Sequence, residues 1–302
     1  MGTPQFSIPV LEKLIENCNV IAVVTQPDSY VGRKKVLTES PVKQLAKRLE
    51  IKVFQPERIR NDYQEIIDMK PDMIVTCAYG QIIPEKLLEA PKYKTINVHA
   101  SILPKLRGGA PIARAIMEGY EETGITIMQT DKGMDSGDVI TSKSIIIEDS
   151  DNQESLSDKL KFLGAELLIE TLPSIFDNSC KYLKQDETEV TFAPIITKED
   201  EYLDFNKTAR QLFNQVRGLY PEPATYAMLD GERIKIYEVE IGNNVCGENG
   251  EIVEIYKNGI GVSTKDGEII IKKLQIPGKS VINASDYLNG KNKDSLLGKI
   301  FK

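Results

Sequence analysis

Among 302 residues there is a single histidine, His99, and it ends a short apolar run, Thr95-Ile-Asn-Val-His99. Side chains alternate along a strand, so Asn97 and His99 share one side and Ile96 and Val98 the other. In open α/β sheets, ligands bind beyond the carboxyl ends of the strands, which is where this pair falls. An amide and an imidazole there can both donate to an oxygen that gains negative charge, and the imidazole can carry a proton near neutral pH. Spacing alone fits a hydrogen-bonded structural histidine equally well, because an active site needs partners. Asp135 is the candidate partner. It lies in the Gly-bracketed stretch Asp131-Lys-Gly-Met-Asp-Ser-Gly137, and a carboxylate beside an imidazole stabilises the imidazolium. Asp131, Asp135 and Asp138 also suit a plain role as turn formers.

The surrounding pattern supplies a frame for these residues. From Ser7 to about Asn178, short β-branched runs alternate with helical patterns, which predicts βαβ units and a parallel sheet. Strands are expected at Val20–Thr25, Ile51–Phe54, Met73–Ala78, Thr95–His99, Thr123–Gln129 and Asp138–Ile147. Helices are expected at Ser7–Glu16, from Pro41 to about Glu50 with Ser40 as N-cap, at Asp62–Met69 and at Ile112–Glu118. Leu156, Leu160, Leu163 and Leu167 recur at helical spacing and predict a long amphipathic helix closing the domain. The expected organisation is an α/β domain over 1–184, a polar linker over 185–203 and an all-β domain over 204–302. In the last, a helix near Thr208–Gly218 precedes short strands. Asp230-Gly231, Asn249-Gly250, Asn258-Gly259 and Asp266-Gly267 separate them, dipeptides suited to the positive φ of tight hairpins. That spacing suits a small barrel or a sandwich.

Composition excludes several classes. Hydrophobic residues are 41% and charged residues 27%, a globular balance. No apolar run is long enough to span a membrane. The start shows no basic segment followed by an apolar stretch, so no secretory signal is expected. The four cysteines are far apart and form no CxxC pair, which argues against structural zinc and disulfides and for a reducing, cytoplasmic setting. Net charge is −7, so nucleic acid could be held only by a local basic patch.

Taken together, the motifs resemble the folate-dependent formyltransferases. Asn97-Val-His99, Ser101-Ile-Leu-Pro104 and Arg107-Gly-Gly-Ala-Pro-Ile112 resemble the family's core signature, and Met134-Asp-Ser-Gly137 its catalytic aspartate loop. Gly2-Thr-Pro-Gln-Phe6, Thr25-Gln-Pro-Asp28, Ala78-Tyr-Gly80, Gln185-Asp-Glu-Thr188 and Tyr220-Pro-Glu-Pro-Ala224 extend the resemblance along nearly the whole chain. It implies a Rossmann-like doubly wound domain followed by an OB-like barrel, and no metal. The implied reaction is formyl transfer from 10-formyltetrahydrofolate to the α-amine of methionyl initiator tRNA, for translation initiation. Asn97 and His99 would donate to the formyl oxygen while Asp135 holds the imidazolium and helps move a proton from the amine. Folate would be met by Ser101, Ile102, Leu103 and Pro104 and by the segment from Ile82 to Leu88, with Ile83 and Leu87 lining the slot. For those two, core packing is the plainer reading.

The same resemblance gives Arg33 the place of a key arginine in a loop that enters the tRNA acceptor stem, with Lys34 and Lys35 beside it. Shape and exposed bases are what such a loop would read. Lys43, Lys47 and Arg48 add local positive charge. In the β domain, the stretch from Glu268 to Lys302 carries seven lysines against three acids, and Lys272 and Lys273 are candidates for phosphate contact. Departures from the family pattern are Leu106, where an aromatic is common, Ala113, and the lack of a hydrophobic strand before Gly2. The last predicts that Met1 is internal to a longer native chain. A monomer is expected. Rival readings are a formyltransferase acting on an amino sugar, a formyl-folate hydrolase, and a non-catalytic RNA-binding protein.

Overall fold

The computed structural model describes residues 1–32, 35–243, 247–289 and 295–302. Two compact units are formed, one from Met1–Pro111, Glu122–Ile146 and Ser157–Pro194, the other from Ile112–Glu121, Ile147–Leu156 and Ile195–Lys302. Along the first, α1 (Ile8–Asn17) precedes β1 (Val23–Val24), the hairpin of β2 (Ser29–Val31) and β3 (Val36–Thr38), α2 (Pro41–Arg48) and β4 (Val53–Phe54). Then come α3 (Gln64–Asp68), β5 (Ile74–Thr76), α4 (Glu85–Leu88) and β6 (Thr95–His99). After α5 (Pro111–Met117), which lies almost wholly in the second unit, the chain returns to the first with β7 (Glu122–Gln129) and β8 (Val139–Ile146). It then forms the 24-residue α6 (Gln153–Phe176), whose first turn belongs to the second unit.

This is a Rossmann-like α/β unit with a parallel core. β1 runs parallel to β4 and β5 to β6. The remainder differs from an all-parallel expectation, because β7 is antiparallel to both β6 and β8. The stretch between β7 and β8 is too short for the crossover of a dozen or more residues that parallel neighbours need. Met1 and Gly2 stand between β1 and β5. Gly2 N–H donates to Val24 O at 3.0 Å, and Cys77 N–H donates to Met1 O at 2.9 Å. Next to them a cavity of about 640 Å³ opens, with Val20–Val24 and Met73–Val75 in its walls. With little to pair on that edge, β1 keeps two residues of the six expected.

Packing follows the apolar pattern. Leu11, Val42, Leu45 and Ala46 of α1 and α2 bury against Val23, and Val24 joins Ile59, Ile66, Ile74, Tyr79 and Leu87 in a separate cluster. Ser40 caps α2 as expected, its Oγ accepting from Lys43 N–H at 3.1 Å with Pro41 at the first helical position. Such a cap contributes about 1 kcal/mol.

The C-terminal stretch of the second unit opens its regular structure with α7 (Ala209–Gly218), held at its N-terminus by a Thr208–Gln211 capping box. β9 (Thr225–Leu229), β10 (Glu232–Gly242), β11 (Ile252–Tyr256), β12 (Gly259–Ser263), β13 (Glu268–Gln275) and β14 (Ile282–Asn283) precede α8 (Ala284–Leu288). The antiparallel order is β11-β12-β13-β10-β9, with β14 on β13. The C-terminal segment bonds to both ends of that order, to Met228 through Lys302 and to Gly250 and Ile252 through Phe301 and Lys299. The sheet thereby closes on itself, the barrel form of the two expected. Leu212, Val216, Ile236, Val262 and Ile269 fill it. Of the four Asx-Gly turns, only Asp230-Gly231 uses positive φ at both residues (+51° and +80°), the type I′ arrangement. Asn258-Gly259 and Asp266-Gly267 use none. Among the described residues no helix is long and apolar enough to cross a membrane.

Candidate active site

β6 forms over Thr95–His99, the residues the alternation predicts, and flanking strands cover both its edges. Its alternation leaves Asn97 half-buried while His99 is 5% exposed. Thr76, on β5, donates its hydroxyl to Asn97 Oδ1 at 2.9 Å. With the oxygen end of the carboxamide engaged, the NH2 end is the donor left to work with. His99 Nε2 lies 3.2 Å from the carbonyl oxygen of Leu106, and Nδ1 lies 3.6 Å from Asp135 Oδ2. Nε2 thus faces a carbonyl oxygen and Nδ1 a carboxylate oxygen. The Nε2 contact is a hydrogen bond; the Nδ1 separation lies beyond hydrogen-bond range.

Asp135 is held by backbone. Gly108 N–H donates to its Oδ2 at 2.9 Å, and its own φ is +48°, a left-handed conformation that costs about 1–2 kcal/mol for a residue with a Cβ. The loop after β6 is fixed in turn by the segment 185–193, which the sequence suggests as linker and which here pairs along the first unit. Leu106 N–H donates to Thr191 Oγ1 at 2.9 Å, Arg107 N–H to Thr191 O at 2.9 Å, and Ala193 N–H to Arg107 O at 2.7 Å. The Arg107 guanidinium, its side chain 5% exposed, forks onto Glu187 at 2.9 and 3.2 Å and gives its Nε–H to Gln185 Oε1 at 3.0 Å. That pairing holds the Glu187 carboxyl below the usual range. Gln185 Nε2 donates to the carbonyls of Asp135 and Gly137, each at 2.8 Å. Thr76, Leu106, Gly108, Gln185 and Thr191 went unnoticed as supports. The motif signals at Arg107-Gly-Gly and Gln185-Asp-Glu-Thr were there, without their pairing.

The residues expected to meet folate are placed as follows. Ser101 is fully buried, its hydroxyl donating to Lys105 O at 2.7 Å, and Leu103 N–H donates to Thr126 Oγ1 at 3.1 Å. Ile102 and Pro104 are half-buried on the same loop. Leu87 is wholly buried in the core cluster with Ile83 packed against it, which accounts for both by packing. Ile82 is 88% exposed. Its loop is pinned by Gln81, whose Oε1 accepts from Ile59 N–H at 2.7 Å and whose Nε2 donates to Gln26 Oε1 at 2.9 Å.

The basic residues divide in three. Arg33 and Lys34 lie outside the described residues. Lys35 is exposed at the tip of the β2–β3 hairpin, whose Tyr30, Val31, Val36 and Leu37 are exposed too. Lys43 and Lys47 are engaged with acids: Lys43 meets Asp28 at 2.7 Å and Lys47 meets Glu39 at 2.8 Å, and these contacts pull both carboxyls below their ordinary values. On the barrel, Lys272 pairs with Glu240 at 3.1 Å and Lys273 with Glu238 at 2.6 Å across β13 and β10. Leu106 is buried with φ +60°, and Ala113 is buried. Among the described residues no group of three or more His, Cys, Asp or Glu side chains is arranged to hold a metal ion.

Two family descriptions match this chain, Formyl transferase over residues 2–172 and Formyl transferase, C-terminal domain, over residues 195–292. The chain belongs to the formyl transferase family. A protein of Staphylococcus aureus strain MW2 described as methionyl-tRNA formyltransferase is 48% identical over 303 residues, 99% of this chain and 97% of that one. Among solved structures, an N-formyltransferase from Helicobacter canadensis in complex with folinic acid and dTDP-3-aminofucose shares the fold. It has a TM-score of 0.69 at 21% identity, covering 89% of this chain and 96% of that one. HypX from Aquifex aeolicus in complex with tetrahydrofolic acid matches at a TM-score of 0.60 and 19% identity, covering 82% of this chain and 43% of that one.

Proposed function

We propose that this protein transfers a formyl group from 10-formyltetrahydrofolate to the α-amine of methionyl initiator tRNA, acting as a cytoplasmic monomer in translation initiation. The observation that carries this reading is the 48% identity to a methionyl-tRNA formyltransferase along 99% of the chain, through the catalytic half and the barrel alike. The site's donor set suits the chemistry: one amide and one imidazole that donate and one carboxylate that accepts.

When bound, the folate supplies the electrophilic formyl carbon, and its N10 is the leaving group. Asn97 donates from Nδ2 to the formyl oxygen, with Thr76 keeping the amide from turning over. His99 acts from its Nδ1 side, which faces Asp135, while Leu106 O steadies Nε2. Asp135 stabilises the imidazolium and accepts the proton that the attacking amine sheds, passing it toward N10. Withdrawing one such donor costs about 3 kcal/mol in the barrier, or 10²–10³ in rate. Ser101, Ile102, Leu103 and Pro104 border the folate, with the loop pinned by Gln81 on its other flank; Ile83 and Leu87 back that loop from the core. Lys35, on the exposed β2–β3 hairpin, meets the acceptor stem, as Arg33 and Lys34 beside it in sequence would, and Lys272 and Lys273 follow phosphate along the barrel.

The test is transfer of labelled formyl from 10-formyltetrahydrofolate to charged initiator tRNA, with elongator Met-tRNA and a nucleotide-linked amino sugar as alternative acceptors. Label on the initiator alone supports the reading; label on the amino sugar, or release as free formate, overturns it.

A further inference from the structure

We propose that Gln185 is a positioning residue, whose carboxamide holds Asp135 opposite His99 by bridging the two loops that carry the reaction. The inference rests on the formylation reading and adds a residue outside the donor set.

The orientation of the Gln185 amide follows from its neighbours. Arg107 Nε–H can only donate and lies 3.0 Å away, so Oε1 must face it. Nε2 is then turned to the carbonyls of Asp135 and Gly137, both at 2.8 Å, and its two hydrogens satisfy both. Those carbonyls bracket the short turn in which Asp135 adopts φ +48°. That conformation carries a modest cost for a residue with a Cβ, so contacts on the turn help to hold it. Gly137 is equally confined, since a Cβ there would lie 1.9 Å from Gln129 O.

Arg107, the acceptor's partner, sits between the two residues whose backbone touches the catalytic pair. Leu106 before it offers the carbonyl to His99, and Gly108 after it offers the N–H to Asp135. One half-buried side chain therefore joins the backbone behind His99 to the backbone behind Asp135. The 3.6 Å separation of their side chains is set at both ends through it. A displacement near 1 Å at such a pair costs about a hundredfold in rate.

Gln185→Glu separates this role from simple anchoring. The substitution keeps the length and the acceptor for Arg107 but turns two donors into an acceptor facing two carbonyls. Gln185→Ala removes everything, and Asp186→Ala loosens the same segment by deleting the cap that accepts from Thr188 N–H while sparing the bridge. We expect kcat to fall at least about tenfold in Gln185→Glu and Gln185→Ala, with KM for folate and tRNA within about twofold, and to stay unchanged in Asp186→Ala. His99 is the one histidine, so its imidazole nitrogen signals can be followed by NMR, and they should shift in the two Gln185 variants alone. Wild-type kcat and an unmoved imidazole signal in Gln185→Glu would overturn the proposal, as would an equal loss in Asp186→Ala. Should Gln185→Ala fail to fold, Gln185→Glu decides. If the wild type itself leaves initiator tRNA unformylated, that result counts against the formylation reading, and the imidazole signal still judges the bridge.

Discussion

Replacing Gly108 with alanine probes the support of the carboxylate proposed to act in the reaction without touching a reacting group. At φ +125° its backbone is closed to side-chain-bearing residues without strain, a penalty of about 1–3 kcal/mol. The new Cβ would stand 2.7 Å from Ala193 O, where ordinary contact begins at 3.4 Å, so about 0.7 Å must be found between two pieces of backbone. That backbone is bonded on both sides, Ala193 N–H to Arg107 O at 2.7 Å and Ala110 N–H to Ala193 O at 3.1 Å, so it yields poorly. The N–H that moves is the one holding Asp135 Oδ2 at 2.9 Å. We expect Gly108→Ala to lose about 2–4 kcal/mol of stability and roughly 10- to 100-fold in single-turnover formyl transfer at saturating substrates. Gly231→Ala is the control: φ is +80°, but no atom lies within 4 Å of its new Cβ, so stability falls by about 1–2 kcal/mol with activity intact. Equal turnover in the two variants, measured on folded protein, would refute the reasoning that Asp135 depends on this contact.

Three further expectations follow from other contacts. Thr76→Val frees Asn97 Oδ1, and we expect kcat to drop about tenfold with little change in melting temperature, measured on the same preparation. Asp200 is forked by Arg114 at 2.7 and 2.8 Å, which lowers its pKa from the ordinary 3.8, with Thr197 assisting. A lowered folded-state value means that its stabilisation is full above the ordinary value and lost as pH falls through the folded one. Between about pH 5 and pH 3, Asp200→Asn should therefore lose less thermal stability than the wild type. On the barrel, Lys272 is 15% exposed and Lys273 43% exposed, each paired with a glutamate. The salt dependence of tRNA binding should flatten by about one unit in Lys273→Met and by less in Lys272→Met, whose more buried ammonium is held against Glu240.

Local signals made much of this fold legible. β6 could be read to the residue because five consecutive side chains alternate and the strand is paired on both edges. Ser40-Pro41 announced α2, and the leucines from Leu156 announced α6. The β2–β3 hairpin was missed because its apolar residues, Tyr30, Val31, Val36 and Leu37, are exposed and flank basic charge, which reads as loop. β7 was legible as a strand, but its antiparallel sense depends on the short loop that follows it. The proposed trio Asn97, His99 and Asp135 stands out in the sequence because each type is suited to the chemistry and each lies in a recognisable motif; the structure brings His99 and Asp135 together. Their supports do not stand out, because Arg107 and Gln185 are separated by 78 residues and no periodicity connects them. The two lysines on the barrel were legible as charge and not as cross-strand pairs, since the acids that neutralise them lie on another strand. For Leu87 core packing was the plainer reading of the sequence, and it is wholly buried in the core.

The measurement that bears most directly on the site is single-turnover formyl transfer to initiator Met-tRNA by His99→Ala and Asp135→Ala, with folate binding followed in parallel. We expect each variant to bind folate and stay folded while its rate falls at least about a hundredfold. A rate near that of the wild type in either one would contradict the assignment of this imidazole and carboxylate to the reaction.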